Sequence, residues 1–187
     1  YIGATTSRDV PKIMAIASQG SSLYIYEISP EMIQGKKGTI CSGYWELTPE
    51  TGLVEGKLPV ATSAYFDRMF YYAVGNKIYR ADLTRSTPRS YEIYAHPDPS
   101  VRITRLKFRS QREDRWDISG GDEVEAIPYD FVSYLGGVAE YPDGNCSMLE
   151  MKLTAAGEID KEEGTKDLMV YEFKGFKNVV DFVYAFK

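Results

Sequence analysis

The sequence contains a single histidine, His96, and this scarcity limits the catalytic mechanisms that the protein can use. A serine or cysteine hydrolase triad needs a histidine as its general base, so such a triad would have to include His96. That residue precedes Pro97 in a turn-like stretch, and the chain has no G-x-S-x-G nucleophile elbow. We therefore expect His96 to be a loop residue, and we assign no catalytic residue.

Cysteine is nearly as scarce as histidine. Cys41 and Cys146 lie in different parts of the chain, and neither has a metal-ligand spacing such as C-x-x-C. We expect two free, partly buried thiols, while a disulfide between them stays open because pairing cannot be read from sequence. The turn-like stretch Tyr141–Asn145 holds one acidic residue where an EF-hand loop needs several, so we predict no metal ligand and no cofactor.

Long apolar runs, clustered positive charge and helical periodicity are also missing. No apolar stretch reaches the ~20 residues that cross a bilayer, so we expect a soluble chain whose only membrane link would be a lipid anchor outside it. The formal net charge is −5 without a stripe of lysine or arginine, which argues against nucleic-acid binding because that needs many phosphate-neutralising cations. Helix signals are limited to one candidate turn, Pro30–Gln34, with Ser29 as its cap.

Aromatic residues, in contrast, are abundant, with 15 Tyr and 8 Phe. These residue types fit the pleated, half-buried surface of a β-sheet. Three pieces of the chain, Ile13–Ile28, Phe70–Leu83 and Phe131–Leu153, share the order of an apolar strand, a short turn and a second strand. A repeat of this kind predicts small units that bury their faces against one another.

Each unit extends to four predicted strands. In the second unit they are Ala61–Phe66, Phe70–Val74, Lys77–Leu83 and Ser90–Tyr94, with a tight hairpin turn at Gly75-Asn76. The strands Phe70–Val74 and Val179–Tyr184 are apolar at nearly every position. That pattern is typical of a strand covered on both faces.

These features predict an all-β fold, and within that class a partial β-propeller of about three four-stranded antiparallel blades. A β-sandwich or an open stack of small sheets are the alternatives. The single domain 1–187 would contain units at 11–60, 61–102 and 103–178 and a closing strand at 179–184, with Arg109–Glu125 as a long loop leaving the rim. Because three units do not close a ring and residue 1 is not methionine, we expect the C-terminal part of a longer protein.

Three stretches carry a family resemblance, namely residues 70–83, 94–97 and 171–184, which read FYYAVGNKIYRADL, YAHP and YEFKGFKNVVDFVY. They resemble the C-terminal, propeller-like region of the PKD-like family of surface lipoproteins in Bacteroidetes. The resemblance implies a lipidated N-terminus and PKD modules upstream, and a location at the cell surface or outer membrane of a Gram-negative bacterium. It also implies an association with SusC/SusD-like uptake proteins, and it brings no catalytic residues.

Aromatic residues among polar neighbours are the predicted ligand contacts. Trp116, between Arg115 and Asp117, and Trp45, beside Tyr44, offer flat rings that stack on sugars or anchor protein partners. We therefore predict a non-catalytic binding or interaction module for a glycan or an envelope protein. In the structural alternative, Trp45 caps the core of its unit and Trp116 holds its own loop in place.

Two other functions stay open. A fragment of a glycoside hydrolase or lyase would use acidic residues held at a defined separation, and the candidates on the predicted loop are Asp117, Asp122, Glu123 and Glu125. That function requires two or more of these carboxylates to converge in one pocket with an aromatic floor. A structural spacer would have no concave aromatic site.

Overall fold

A computed structural model describes residues 2–4, 13–19, 22–28, 43–49, 64–66, 69–86, 88–113 and 130–185. These ranges contain twelve β-strands: β1 Ile2–Ala4, β2 Ile13–Gln19, β3 Ser22–Ile28, β4 Gly43–Pro49, β5 Ala64–Phe66, β6 Met69–Val74, β7 Lys77–Asp82, β8 Arg89–Ala95, β9 Arg102–Glu113, β10 Asp130–Glu140, β11 Asn145–Leu153 and β12 Val170–Lys177. None of the described residues is helical, so the predicted all-β class is confirmed. Accordingly, no helix in these ranges has the length and apolarity to cross a bilayer.

The strands form three antiparallel meanders, each made of four strands in chain order. The first sheet contains β1–β4, the second β5–β8 and the third β9–β12. Strands β6, β7 and β8 of the second sheet fall within one residue of their predicted bounds, while β5 covers only the described part of the predicted strand Ala61–Phe66. The hairpin between β6 and β7 turns at Gly75, whose φ of 59° suits glycine. The candidate helical turn Pro30–Gln34 lies outside the described residues.

The first and second sheets also join at one edge. Thr48 and Pro49 at the end of β4 pair in parallel with Arg89 and Ser90 at the start of β8. The pairing produces a run of eight strands in the order β1-β2-β3-β4-β8-β7-β6-β5, while the third sheet stays separate. The contact arises because β4 and β8 are the last strands of their meanders and therefore each have a free edge.

The second sheet is the middle layer of the fold. All five residues of Phe70–Val74 on β6 are buried, as the apolar run predicts for a strand with two covered faces. One face contributes to a cluster with the first sheet, formed by Ile25, Phe70, Tyr72, Val74, Tyr79, Ala81 and Leu83. The other face packs on the third sheet in a cluster that includes Tyr71, Ala73, Ile78, Leu106, Leu135, Leu149 and Met151. Burying each of the larger side chains contributes roughly 1.5–3 kcal/mol.

One predicted boundary, the start of the long loop at Arg109, is wrong. Arg109–Glu113, expected to begin a long loop, continues β9 and pairs with β10 from Tyr134 to Asp130. The charged side chains are compatible with a strand because the face that carries Arg109 is not the one that packs on the second sheet. Arg109 instead pairs with Glu150 at 2.6 Å and lies 4.3 Å from the centre of the Tyr134 ring.

The closing strand predicted over 179–184 does not form. These residues have no regular secondary structure, and Val180 and Val183 are 76% and 80% exposed. The segment instead lies on the outer face of the third sheet, which is the face turned away from the second sheet. Phe182 and Tyr184 pack over Gly136 on β10, where any side chain would collide with the Tyr184 hydroxyl.

Candidate functional site

The predicted aromatic site is only partly described. Arg115, Trp116 and Asp117 lie outside the described residues, and so do the candidate acidic residues of the enzyme alternative, Asp122, Glu123 and Glu125. Cys41 is also outside them, while Cys146 is buried and free. Their roles therefore stay predictions.

Trp45 and Tyr44 are neighbours on β4 rather than loop residues. Trp45 pairs with Ile25 of β3, and its half-buried side chain packs against the cluster shared by the first and second sheets. Tyr44 pairs with Tyr26 in the same ladder. The roles of Trp45 and Tyr44 in ligand binding stay predictions.

A cleft opens between the second sheet and the segment that joins β11 to β12. Its volume is about 530 Å³, within the range of roughly 300–1,000 Å³ typical of small-molecule sites. We call the joining residues the 154–169 segment. The cleft continues the interface between the second and third sheets outward, beyond the point where their apolar cores meet.

The strand side of the cleft follows from the period of two in β-strands. Side chains two residues apart share a face, so Arg89 and Tyr91 of β8 lie on one face of the sheet and line the cleft. Arg80 and Asp82 of β7 line it for the same reason. Ile93, the unpaired residue of a β-bulge opposite Ile78 and Tyr79, also lines it. This wall therefore offers a phenol ring between charged groups.

The opposite wall is the 154–169 segment, which hydrogen bonds fix to β11. Asp160 donates its backbone N–H to the Lys152 carbonyl at 2.8 Å, and Lys152 in turn donates to the Met169 carbonyl at 3.1 Å. Glu158 and Lys161 from this segment line the cleft. This wall is therefore a hydrogen-bonded hairpin, held in place by β11, that faces β8 across the cleft.

Two side chains of the second sheet tie this wall to the cleft floor. The Tyr71 hydroxyl donates to the Gly157 carbonyl at 2.8 Å. Arg80 donates to the Ala156 carbonyl and lies 3.3 Å from a carboxylate oxygen of Glu158. Because the Arg80 side chain is only 13% exposed, it acts as a link between the sheets and leaves ligand contact to other groups.

Asp82 stays ionised at the mouth of the cleft. The Thr84 hydroxyl donates to its carboxylate at 2.6 Å, and the Thr84 backbone N–H donates at 2.9 Å. The Thr84 hydroxyl, followed by its N–H and the cations Arg85 and Arg80, outweighs partial burial and holds the pKa of Asp82 below its ordinary value. Asp82 is therefore a hydrogen-bond acceptor at neutral pH.

A second polar cluster lies at the end of β8, around His96. Its Nδ1 accepts a hydrogen bond from the Asp98 backbone N–H at 3.1 Å, so in the neutral ring the proton is on Nε2, which faces Glu172 Oε1 at 3.7 Å. The Tyr141 hydroxyl donates to the same oxygen at 2.9 Å. His96 lies in the loop after β8, as predicted, and its side chain is only 5% exposed because it packs between the second and third sheets.

The pKa of the Glu172 carboxyl reflects these neighbours. Partial burial alone would raise it, but the hydroxyls of Ser147 and Tyr141, the Lys174 ammonium and the neighbouring His96 ring hold it below the ordinary value. Glu172 is therefore negatively charged at neutral pH, beside a histidine that has little solvent contact. We interpret this cluster as structural because the cleft, rather than this packed corner, offers room for a ligand.

The sequence did not point to the cleft residues. The alternation of Arg89, Tyr91 and Ile93 predicts a common face, but nothing local indicates that the 154–169 segment, about 70 residues later by the numbering, forms the other wall.

Among the residues that the structure describes, no group of three or more His, Cys, Asp or Glu side chains could hold a metal ion. No family model, curated protein or solved structure matches the chain.

Proposed function

We propose that this chain is a non-catalytic binding module, built as an arc of a β-propeller, that binds a carbohydrate in the cleft between its second and third units. Its place would be the surface of a Gram-negative bacterium, in a lipoprotein that works with SusC/SusD-like uptake proteins. The location and these partners rest on the resemblance of residues 70–83, 94–97 and 171–184 to the PKD-like family.

The propeller arrangement is supported by the order and contacts of the strands. Each sheet is a four-stranded antiparallel meander, as a propeller blade is. The first strands of the three sheets also lie next to one another, since β1 contacts β5 and β5 contacts β9. First strands of neighbouring blades meet in this way around a propeller axis. The blades of a propeller are separate sheets, so the parallel pairing between β4 and β8 departs from that arrangement. The pairing involves only two residue pairs.

The cleft is the observation that carries the binding function. Its walls combine the Tyr91 ring with donors such as Arg89 and acceptors such as Asp82. An aromatic ring can lie against the apolar face of a sugar, while charged side chains make the stronger hydrogen bonds to hydroxyl groups. A few directed polar groups in a concave site are the usual composition of a small-ligand pocket.

The test is carbohydrate binding by the 187-residue chain with and without its cleft phenol. A glycan array, followed by calorimetry on the best ligand, should show binding that Tyr91→Ala weakens. We expect a loss of affinity of about tenfold, which corresponds to about 1.4 kcal/mol of binding free energy. Tyr171→Ala is the matched control because Tyr171 is 44% exposed and does not line the cleft. Equal loss in both variants, or binding to no carbohydrate, would contradict the proposal.

A further inference from the structure

We infer that the ligand of this cleft is an anionic carbohydrate, held through carboxylate or sulfate groups by Arg89 and Lys161. The inference rests on the proposed function and adds the charge class of the ligand. It follows from which charges in the cleft already have a partner and which do not.

The acidic residues of the cleft are already paired. Three ion pairs involve them: Glu158 with Arg80 at 3.3 Å, Asp82 with Arg85 at 3.9 Å and Glu92 with Lys77 at 2.6 Å. Hydrogen-bonded charges of opposite sign largely neutralise one another over distance. A ligand entering the cleft therefore meets little uncompensated negative charge.

Two cations of the cleft have no such partner. Within the ranges that the structure covers, neither the Arg89 guanidinium nor the Lys161 ammonium makes an ion pair or a side-chain hydrogen bond. They lie on opposite walls, Arg89 on β8 and Lys161 on the 154–169 segment. This local excess of positive charge occurs in a chain whose net charge is −5, so it is not an average property of the surface.

The two walls would act on an anion from both sides. A carboxylate or sulfate can receive the planar fork of the Arg89 guanidinium on one side, which is suited to two parallel hydrogen bonds. On the other side, the Lys161 ammonium supplies a point charge. Concave sites also focus the field of their charges, which raises the attraction for a ligand of opposite sign.

The remaining groups favour a carbohydrate over an acidic peptide. Tyr91 lies on the same strand face as Arg89, two residues along, and so places a ring beside the cation. Asp82, kept ionised by Thr84, can accept hydrogen bonds from sugar hydroxyls, which an acidic peptide does not offer. Each unit of an acidic glycan offers one carboxylate or sulfate beside several hydroxyls, whereas an acidic peptide offers carboxylates without the hydroxyls.

The experiment compares two forms of one glycan on the full chain. Isothermal calorimetry with a galacturonate oligomer and with its methyl-esterified form changes only the charge of the ligand. We expect the acid form to bind at least about tenfold more tightly, and added salt to weaken it, because exposed charges are screened at high ionic strength. A sulfated galactan oligomer distinguishes sulfate from carboxylate as the recognised group.

Single substitutions test whether the two cleft cations bind the acid form of the glycan. Arg89→Ala and Lys161→Ala should each weaken binding of the acid form by about tenfold, in line with the strength of hydrogen bonds to charged groups. Lys166→Ala removes the same charge from an exposed position of the 154–169 segment that does not line the cleft, and it should leave binding unchanged. Each variant is compared with wild type by circular dichroism to show that it folds.

The outcomes separate this inference from the proposed function. If the ester binds as tightly as the acid and Tyr91→Ala weakens both, the anionic inference is overturned while carbohydrate binding stands. If neither glycan form nor the sulfated oligomer binds, but a polyglutamate peptide does, both are overturned. If Lys166→Ala weakens binding as much as Lys161→Ala, general surface charge explains the result and the inference is overturned.

Discussion

Tyr71 on β6 donates a hydrogen bond from its hydroxyl to the carbonyl oxygen of Gly157, 2.8 Å away in space and 86 residues later in the chain. Gly157 has a φ of +75°, and a Cβ there would lie 2.5 Å from the same hydroxyl. The phenol and the glycine therefore require each other. Their contact fixes the 154–169 segment against the second sheet and so sets the width of the cleft.

Replacing Tyr71 with Phe tests this contact. The change leaves the Gly157 carbonyl buried without its donor, which costs about 1–3 kcal/mol. Urea unfolding should show a lower midpoint with an unchanged slope, since the slope follows the surface exposed on unfolding. Tyr171→Phe, at a 44% exposed position, is the control and should leave the midpoint within error. Equal stability of Tyr71→Phe and wild type would show that the hydrogen bond contributes nothing.

Gly136→Ala tests the packing of the C-terminal segment. The new methyl group would collide with the Tyr184 hydroxyl and approach the Phe182 ring to 3.0 Å, and overpacking of this kind costs about 1–3 kcal/mol. We expect the free energy of unfolding to fall and carboxypeptidase to remove the segment faster.

The control for this change is a double-mutant cycle with Tyr184→Ala. Because Tyr184→Ala removes the colliding ring, the added cost of Gly136→Ala in that background should be smaller than in wild type. Strict additivity of the two changes would mean that the residues do not contact each other.

The lowered pKa of Glu172 predicts that the free energy of unfolding falls in acid. Its pKa in the folded protein lies below the ordinary 4.5, so its stabilising contribution is complete above pH 4.5 and is lost as the pH falls through the folded-state pKa. Glu172→Gln should therefore show a smaller decrease in unfolding midpoint across this interval. Glu163→Gln, at an exposed turn, should keep the wild-type pH dependence. Identical profiles for Glu172→Gln and wild type would contradict the assigned neighbours of Glu172.

The raised pKa values of two buried tyrosines predict that the free energy of unfolding falls in alkali. Burial raises the pKa of both Tyr94 and Tyr184 from 10.0 to about 12. An unfolded chain loses these protons first, so the stabilisation is complete below pH 10 and declines as the pH rises from 10 to 12. Ultraviolet titration should show a late-ionising group of tyrosines, and Tyr94→Phe and Tyr184→Phe should each reduce the alkaline decrease in stability. A single transition for all tyrosines at the ordinary pKa would contradict the burial of these rings.

Much of the fold could be predicted because its strongest signals are local. The run Phe70–Val74 has no polar position, and the strand that it forms is buried on both faces. Gly75-Asn76 allows the backbone angles of a tight hairpin, and Tyr141–Asn145 contains a turn with Gly144 at a φ of 81°. Period, turn chemistry and apolarity act within a few residues, so a sequence displays them directly.

The errors have long-range causes. The charged stretch that begins at Arg109 predicts a loop. Arg109 is compatible with a strand because it contacts Tyr134 on β10 and pairs with Glu150 on β11. The segment 179–184 reads as a buried strand, but it lacks a pairing partner among the described residues, and two of its valines face solvent. In both places the tertiary neighbours decide the outcome, and local polarity does not reveal them.

The candidate site shows the same division. The period of two places Arg89 and Tyr91 on one face of β8, which sequence can indicate. Whether that face is buried, exposed or part of a cleft depends on the 154–169 segment, which forms the opposite wall. The hydrogen bond between Tyr71 and Gly157 that ties this segment to the second sheet joins residues far apart in the chain, and no local pattern encodes it. The aromatic residues that stood out in the sequence, Trp45 and Trp116, did so because of polar neighbours along the chain.

Chemical-shift mapping on the isotopically labelled 187-residue chain, titrated with a galacturonate oligomer, locates the binding site directly. We expect the largest amide shift changes at residues 80–86, 89–93 and 158–168, on the two walls of the cleft, with β6 unchanged in its core. Changes confined to residues 43–49 or 114–129, the regions of Trp45 and Trp116, would place the ligand at the aromatic residues and contradict a binding site in the cleft.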